Sequence, residues 1–315
     1  MPEEHFRRYL RSGGCPTNPN TIADTLIVAL VFATLAQAWS WLGSYAGILS
    51  FGHAVFFGIG AYAVAASNFR GGSPWYGALG GALFAVLVAA VFGGLFLRGR
   101  VYVFSAITLA AGAAVEPFVA AQRWLGAHDS FVFPLHTGFL NLQFGAKWPY
   151  LLLALMVFGV TQALTLGLRA TRLGCYLRAV RTNALAARSV GIAGRPLQLL
   201  ALIASAFVTS VAGSFSAQYA LGVSPQATLA LALSLDIALI GSVAGSASVW
   251  AAPAVALVYV LLAKYVPLHP AGTLGDVVLV AQGLLIVLIA RVCPRGVFGG
   301  GLVRPARSVP VRRVA

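Results

Sequence analysis

Long apolar stretches separated by short polar segments dominate this chain. Each stretch is long enough for one helix to cross a membrane, which takes about 17–25 mostly apolar residues. The predicted spans run approximately over residues 22–42, 46–66, 76–97, 101–121, 149–168, 197–220, 228–244, 248–266 and 274–291. We therefore expect an all-α polytopic membrane protein with about eight to ten transmembrane helices, some of them broken or re-entrant.

The longest polar segment between two apolar stretches runs from Arg169 to Arg195 and contains no acid. Its six arginines are Arg169, Arg172, Arg178, Arg181, Arg188 and Arg195. Apolar residues recur in it at roughly helical spacing, at Leu177, Val180, Leu185 and Val190. Three stop signals follow, which are Gly191, Gly194 and Pro196. This order predicts a short amphipathic helix inside the loop 169–196.

Composition supports the membrane class. The chain is 59% hydrophobic and 9% charged, whereas soluble domains contain about 25% charged residues. We expect a polar N-terminal segment (1–21), a transmembrane domain (22–300) and a basic tail (301–315). The N-terminal segment contains no apolar region, so a cleaved signal peptide is not expected.

The net charge of +14 does not indicate nucleic-acid binding, because the basic residues lie between and after the apolar stretches. The tendency of Lys and Arg to stay on the cytoplasmic side explains their placement. The three cysteines, Cys15, Cys175 and Cys293, form no CxxC pair. Neither a disulfide framework nor a metal site is predicted.

The same charge rule predicts orientation. If the loop 169–196 is cytoplasmic, Arg98, Arg100 and the C-terminal tail lie on the cytoplasmic side, and the segment 122–148 lies outside.

The N-terminal arginines conflict with this arrangement. Three crossings before Arg98 would place Arg7, Arg8 and Arg11 outside. Either their signal is weak, or the glycine-rich region 43–66 does not cross as one simple helix. We favour the second explanation, because irregular backbone is tolerated at membrane depth where protein surrounds it.

Small residues four positions apart allow helices to approach one another closely. Three such pairs are present, namely Gly77 with Gly81, Gly241 with Gly245, and Ala54 with Gly58. We expect them to be helix-packing sites.

Four segments in this order resemble the permease subunits of ATP-binding-cassette (ABC) importers of the branched-chain amino acid family, in particular the M-type subunit. They are SYAGILSFGHAVFFGIGAYAVA at 44–65, RGRVYVFSAITLAAGAAVEP at 98–117, RAVRTNALAARSVGI at 178–192 and PRGVFGG at 294–300. The first and third segments are fairly specific, and the other two support them.

The resemblance implies a pore-forming subunit that is not itself an enzyme. Its partners would be a second homologous permease chain, two ATP-binding subunits and an extracytoplasmic solute-binding protein, in the bacterial inner membrane with its lipid. ATP and Mg²⁺ would bind in the ATP-binding subunits, and this chain carries no phosphate-binding GxxxxGK[ST] loop. No cofactor is expected in the chain itself.

The resemblance also implies that the loop 174–192 is a coupling helix that lies in a groove of the ATP-binding subunit. Its candidate contact residues are Arg178, Arg181, Asn183, Ala186, Ala187, Arg188 and Gly191. Basic residues at lipid headgroups are the alternative interpretation of this loop. Relatives usually carry acidic residues near Thr182–Ala184 and at the position of Arg188, so the partner is expected to have a complementary acidic groove.

Three further residues are candidates for the pathway or for gating: Glu116, Asp236 and His53. Ionisable side chains inside spans are costly and usually face protein or a water-filled path. Structural roles are the alternative. Asp236 can bond Ser234 or Ser242, and His53 can cap backbone groups at a helix break.

The substrate class stays open between branched-chain or other small amino acids and related amides, because segments on the outer side depart from the family pattern. The alternative function is a self-contained secondary carrier or channel for a small polar solute. Such a protein would normally show an intramembrane charge pair or an inverted repeat, and neither is clear in the sequence. A membrane enzyme is disfavoured, because no His/Asp, Ser/His or Cys/His group has usable spacing.

Overall fold

A computed structural model describes residues 19–97, 101–122, 131–133, 138, 141–245, 248–265 and 273–292. Over these ranges the chain is almost entirely helical. The helices are α1 Pro19–Ser40, α2 His53–Phe69, α3 Pro74–Phe96, α4 Val101–Ala120, α5 Trp148–Ala170, α6 Arg172–Thr182, α7 Ala184–Ser189, α8 Gly194–Ala220, α9 Pro225–Thr228, α10 Leu231–Ala244, α11 Ala251–Tyr265 and α12 Thr273–Val292.

Within the described ranges, six helical segments are long and apolar enough to cross a membrane. They are Thr21–Tyr45, Pro74–Phe96, Val101–Ala120, Trp148–Ala170, Gly194–Ala220 and Pro225–Ala244. Two shorter apolar helices, His53–Phe69 and Ala251–Lys264, accompany them. The expected all-α, polytopic membrane fold is confirmed.

As predicted, the region 43–66 is interrupted and does not form one helix. A π-helical segment, Trp41–Tyr45, extends α1, and non-helical backbone then leads to α2. Gly47 lies in this connection with φ +74°, a conformation that strongly favours glycine. The predicted span 46–66 therefore begins later, at His53.

A second break lies between α9 and α10. The predicted span 228–244 is instead a short helix that ends at Thr228, followed by a helix that begins at Leu231. The two breaks meet inside the molecule, because the backbone N–H of Ala54 donates to Ser234 Oγ at 2.9 Å. A methyl group built on Gly58 would lie 2.1 Å from Leu229 Cδ2. Each break is thus covered by the other.

Helix α1 connects two opposite sides of the molecule. We call the side that carries residues 169–196 the loop side and the other the far side. At the loop side, Arg181 donates to the Ser44 carbonyl, and Gln198 Nε2 lies 3.4 Å from the Ala46 carbonyl. At the far side, Asp24 pairs with Lys147, next to the start of α5.

The region 46–69 then returns to the far side, although it is broken. The rings of Phe69 and Phe131 lie 4.7 Å apart, and Phe131 pairs with Val223 beyond the far-side end of α8. The break therefore does not remove a crossing, and Pro19 lies on the far side. The prediction that the region 43–66 is not one simple helix is therefore confirmed. This break does not bring the start of α1 to the loop side, so it does not resolve the conflict with the charge rule.

Helices α2 and α8 pack very closely against each other. A methyl group on Gly60 would lie 1.9 Å from the Ser210 carbonyl oxygen, and one on Gly213 would lie 2.0 Å from that of Phe57. Neither glycine belongs to the three pairs of small residues that were predicted to be helix-packing sites.

The predicted packing glycines Gly77 and Gly81 lie against α2, and Gly241 lies against the ring of Trp39. Gly245 is an exception. It follows α10 with φ +65° and therefore ends a helix instead of packing against one.

The segment between α4 and α5 contributes a small sheet that the sequence analysis did not anticipate. Strand β1 (Phe131–Val132) pairs antiparallel with β2 (Gly222–Val223). This pairing holds Phe131 and Val132 against the far-side end of α8.

Candidate functional site

The loop 169–196 folds as two helices, not as the single short helix predicted. Asn183 separates α6 from α7. Its side-chain oxygen accepts hydrogen bonds from the backbone N–H groups of Leu185 (3.1 Å) and Ala186 (3.0 Å). Asn183 is therefore the N-cap of α7, a role that its short polar side chain favours, and it remains exposed.

Gly191 ends α7 as predicted. Its φ is +83°, and the N–H of Ile192 donates to the Ala187 carbonyl at 3.0 Å, which closes the end of the helix. Gly194 and Pro196 are not stop signals here, because both lie in the first turn of α8.

Buried side chains fix the loop to its own chain. Leu177, Val180 and Ala187 are buried, and a methyl group on Gly174 would lie 2.0 Å from the Leu168 carbonyl oxygen. Ala187 is therefore not available to a partner, contrary to expectation, whereas Ala186 is exposed. The loop is a packed element, not a flexible connection.

Arg181 also binds within the chain. Its Nη1 donates to the backbone carbonyl of Ser44 in the π-helical segment. A methyl group on Gly47 would lie 2.8 Å from Arg181 Cγ. Instead of serving as a free contact for a partner, Arg181 links the loop to the end of α1.

Five exposed residues in and beside α7 form what we call the coupling surface: Ala184, Leu185, Ala186, Arg188 and Val190. Leu185 and Val190 are 77% and 73% exposed, although their spacing suggested that they continue the buried row of Leu177 and Val180. Arg178 is also exposed, and its Nε donates to the Gly174 carbonyl at 3.1 Å. The loop therefore presents apolar and basic side chains together.

Asp236 is 4% exposed and lies in α10. Gln282 Nε2 donates to its carboxylate at 3.1 Å, and the Tyr259 hydroxyl is hydrogen-bonded to the same side chain. Of the two anticipated serine partners, Ser242 Oγ forms no hydrogen bond with the residues that the structure describes, and Ser234 Oγ accepts one from the Ala54 N–H. Asp236 therefore joins α10 to α11 and α12.

His53 is fully buried at the first residue of α2. Its Nε2 lies 2.9 Å from Ser205 Oγ on α8. It stands at a helix break, as predicted, but it bonds a hydroxyl of a neighbouring helix.

Glu116 lies in the last turns of α4 and is half-buried. Among the residues that the structure describes, no side chain forms a hydrogen bond or an ion pair with it. The structure does not bring Glu116, Asp236 and His53 together in one polar contact.

A far-side cluster was missed by the sequence analysis. Asp24 pairs with Lys147 and accepts a hydrogen bond from the Tyr219 hydroxyl at 2.5 Å. Lys264 Nζ lies 3.5 Å from Thr25 Oγ1, next to this pair. The sequence feature that could have indicated this cluster is one acid, Asp24, and two lysines, Lys147 and Lys264, at the ends of separate spans. In the described part of the chain, no three His, Cys, Asp or Glu side chains are grouped to hold a metal ion.

Comparisons with curated proteins and with solved structures find no match. The model of one protein family, described as branched-chain amino acid transport system / permease component, matches residues 21–292. This range contains both helix breaks, the loop and all but the first residues of α1. The chain is therefore a multi-pass membrane protein that belongs to the family of branched-chain amino acid transport permease components.

Proposed function

We propose that this chain is one of the two permease subunits of an ABC importer, and that the pair forms the pathway for branched-chain or other small amino acids or related amides. Membership of the family supports the transport role. The observation that supports ATP coupling is the coupling surface, which projects from a loop that is firmly packed against the spans.

The loop has three connections through which a push can act on the spans. Helix α6 follows α5 directly at Thr171, and α7 leads into α8 through residues 190–193. Arg181 supplies the third, to Ser44. Since Ser44 precedes the break before α2, movement of the loop reaches the middle of the molecule. A rigid loop transmits displacement, whereas a flexible one would absorb it.

We assign the orientation of the chain in the membrane from its basic residues. The loop side is cytoplasmic and meets the ATP-binding subunits, which hold ATP and Mg²⁺. The far side, with β1 and β2, meets the solute-binding protein. This assignment satisfies the positive-inside rule for the loop 169–196.

Reversing the charge of Arg188 tests the proposal. We expect Arg188→Glu to reduce capture of the cognate ATP-binding subunits by about tenfold or more, because it replaces an attraction to an acidic groove with a repulsion. The measurement is co-purification of the ATP-binding subunits with the tagged permease. Arg70→Glu is the matched control, since Arg70 is an exposed arginine on the far side.

Unchanged capture and unchanged nucleotide-driven uptake by Arg188→Glu would contradict the role of the coupling surface. Solute uptake by this chain alone, without ATP-binding subunits, would instead favour a self-contained carrier.

A further inference from the structure

Helix α4 presents an unusual face. The outward faces of α3 and α5 carry bulky apolar side chains, which is typical of contact with lipid; Leu83, Leu87, Leu152 and Leu155 are examples. The central outward face of α4 is formed mostly by small residues, with Leu109 (38% exposed) among them. The small residues are Ala106, Ala110, Ala113, Ala114 and Pro117, and all are exposed.

Glu116 lies at the edge of this face. Its carboxylate has no hydrogen-bonding or ionic partner among the described residues, although an ionisable group inside a span is expected to face protein or water. Pro117 adds a second acceptor. Because proline has no backbone N–H, the Ala113 carbonyl one turn earlier lacks its usual helical donor. The face thus offers two oxygen acceptors, which are the Glu116 carboxylate and the backbone carbonyl of Ala113.

Glu116 lies one turn beyond the point where α4 packs against the two helix breaks. One turn before Glu116, Gly112 is close to both helix breaks: a methyl group on it would lie 3.0 Å from the Phe51 carbonyl oxygen and 3.8 Å from Leu231 Cδ1. Thr108, a further turn away, accepts a hydrogen bond from the Phe51 N–H at 3.2 Å. Non-helical backbone at membrane depth is tolerated where protein buries it, and α4 is part of the protein that buries these two breaks.

We infer that Glu116 and the Ala113 carbonyl form a cation-recognising site in the translocation pathway, which binds the ammonium group of the transported solute. The inference rests on the proposed transport function and assigns the chemical class of group that the pathway recognises. Charged acceptors bind such donors more strongly than neutral acceptors do.

A charged thiol reagent tests the site without knowledge of the solute. In a full-length chain with Cys15, Cys175 and Cys293 replaced by Ser, Ala113→Cys places a thiol beside Glu116. We expect a cationic methanethiosulfonate (ethyltrimethylammonium) to react about tenfold faster than an anionic one (ethylsulfonate), after correction for their intrinsic reactivities. Adding Glu116→Gln should remove this preference. Leu87→Cys, on the outward face of α3, is the control and should react with neither reagent.

A second arm measures nucleotide-driven uptake of labelled L-leucine by the complete importer in proteoliposomes. Glu116→Gln should reduce uptake about tenfold or more, while capture of the second permease chain and of the ATP-binding subunits stays at the wild-type level.

The failures can be told apart. An unreactive Ala113→Cys, or a reagent preference that survives Glu116→Gln, would overturn the site. Loss of the second permease chain from Glu116→Gln would overturn it in favour of a subunit contact. If wild-type protein shows no nucleotide-driven uptake of any amino acid or amide, the proposed function fails, and the reagent preference still decides whether a cation site exists.

Discussion

Gly213 and Gly60 determine how closely α2 and α8 approach. At each position a methyl group would lie 2.0 Å or less from a backbone carbonyl oxygen of the other helix. A backbone atom cannot move away as the end of a long side chain can, so a larger residue must separate the helices.

We expect Gly213→Ala to lower the free energy of unfolding in detergent by about 1–3 kcal/mol. The reason is that the added methyl group forces α8 away from the Phe57 carbonyl. Thermal unfolding of the purified protein measures the effect. Gly159→Ala is the control, because a methyl group there meets no atom within 4 Å; equal losses for the two variants would contradict the close approach.

Arg181 allows a test of loop rigidity that needs no partner. Arg181→Gln removes the charged donor to the Ser44 carbonyl, and we expect tryptic cleavage after Arg188 to become about tenfold faster as the loop opens more often. Mass spectrometry of the fragments measures the rate. Arg172→Gln replaces an exposed arginine of the same loop and should leave the rate unchanged; equal rates in both variants would show that Arg181 does not hold the loop.

Single residues were the hardest to place from sequence. The spacing of Leu177, Val180 and Leu185 suggested one buried row, but the break at Asn183 redirects the helix and exposes Leu185. The partners of Asp236 lie on two helices distant in sequence. A local search could find Ser234 and Ser242 but could not find Gln282 or Tyr259.

At the scale of helices, length and composition were sufficient for most spans. The bounds of α3, α4, α5 and α8 agree with the apolar stretches to within a few residues. The glycines of the region 43–66 indicated its break, and one of them, Gly47, has the positive φ that the break requires. The break between α9 and α10 carried no comparable signal, since residues 229–233 are as apolar as the helix that follows. Long-range contact, not local propensity, places that break.

At the scale of the whole molecule, the two sides can be distinguished experimentally. We expect single cysteines at Arg70 and Val132 to react with a membrane-impermeant maleimide from one side of sealed vesicles, and a single cysteine at Ala184 from the other. The structure places the first two positions on the far side and Ala184 on the loop side. The native cysteines are replaced by Ser in all three variants.

A cysteine at Arg70 that reacts from the same side as one at Ala184 would show that the region 46–69 turns back without crossing. The charge rule cannot decide this point, because the arginines at positions 7, 8 and 11 disagree with those of the loop. The contact of Phe69 with Phe131, which pairs with Val223 beyond the end of α8, indicates a crossing.

The hydrogen bond from Ala54 to Ser234 joins residues 180 positions apart, and this separation has a consequence for biosynthesis. At about 5–20 residues per second, roughly 9–36 s pass between synthesis of the donor and synthesis of the acceptor. During that time the start of α2 lies in the growing chain without the group that satisfies it, in a solvent that cannot replace it. The first half of the protein is thus assembled in an incomplete form, and the arrival of α10 completes it.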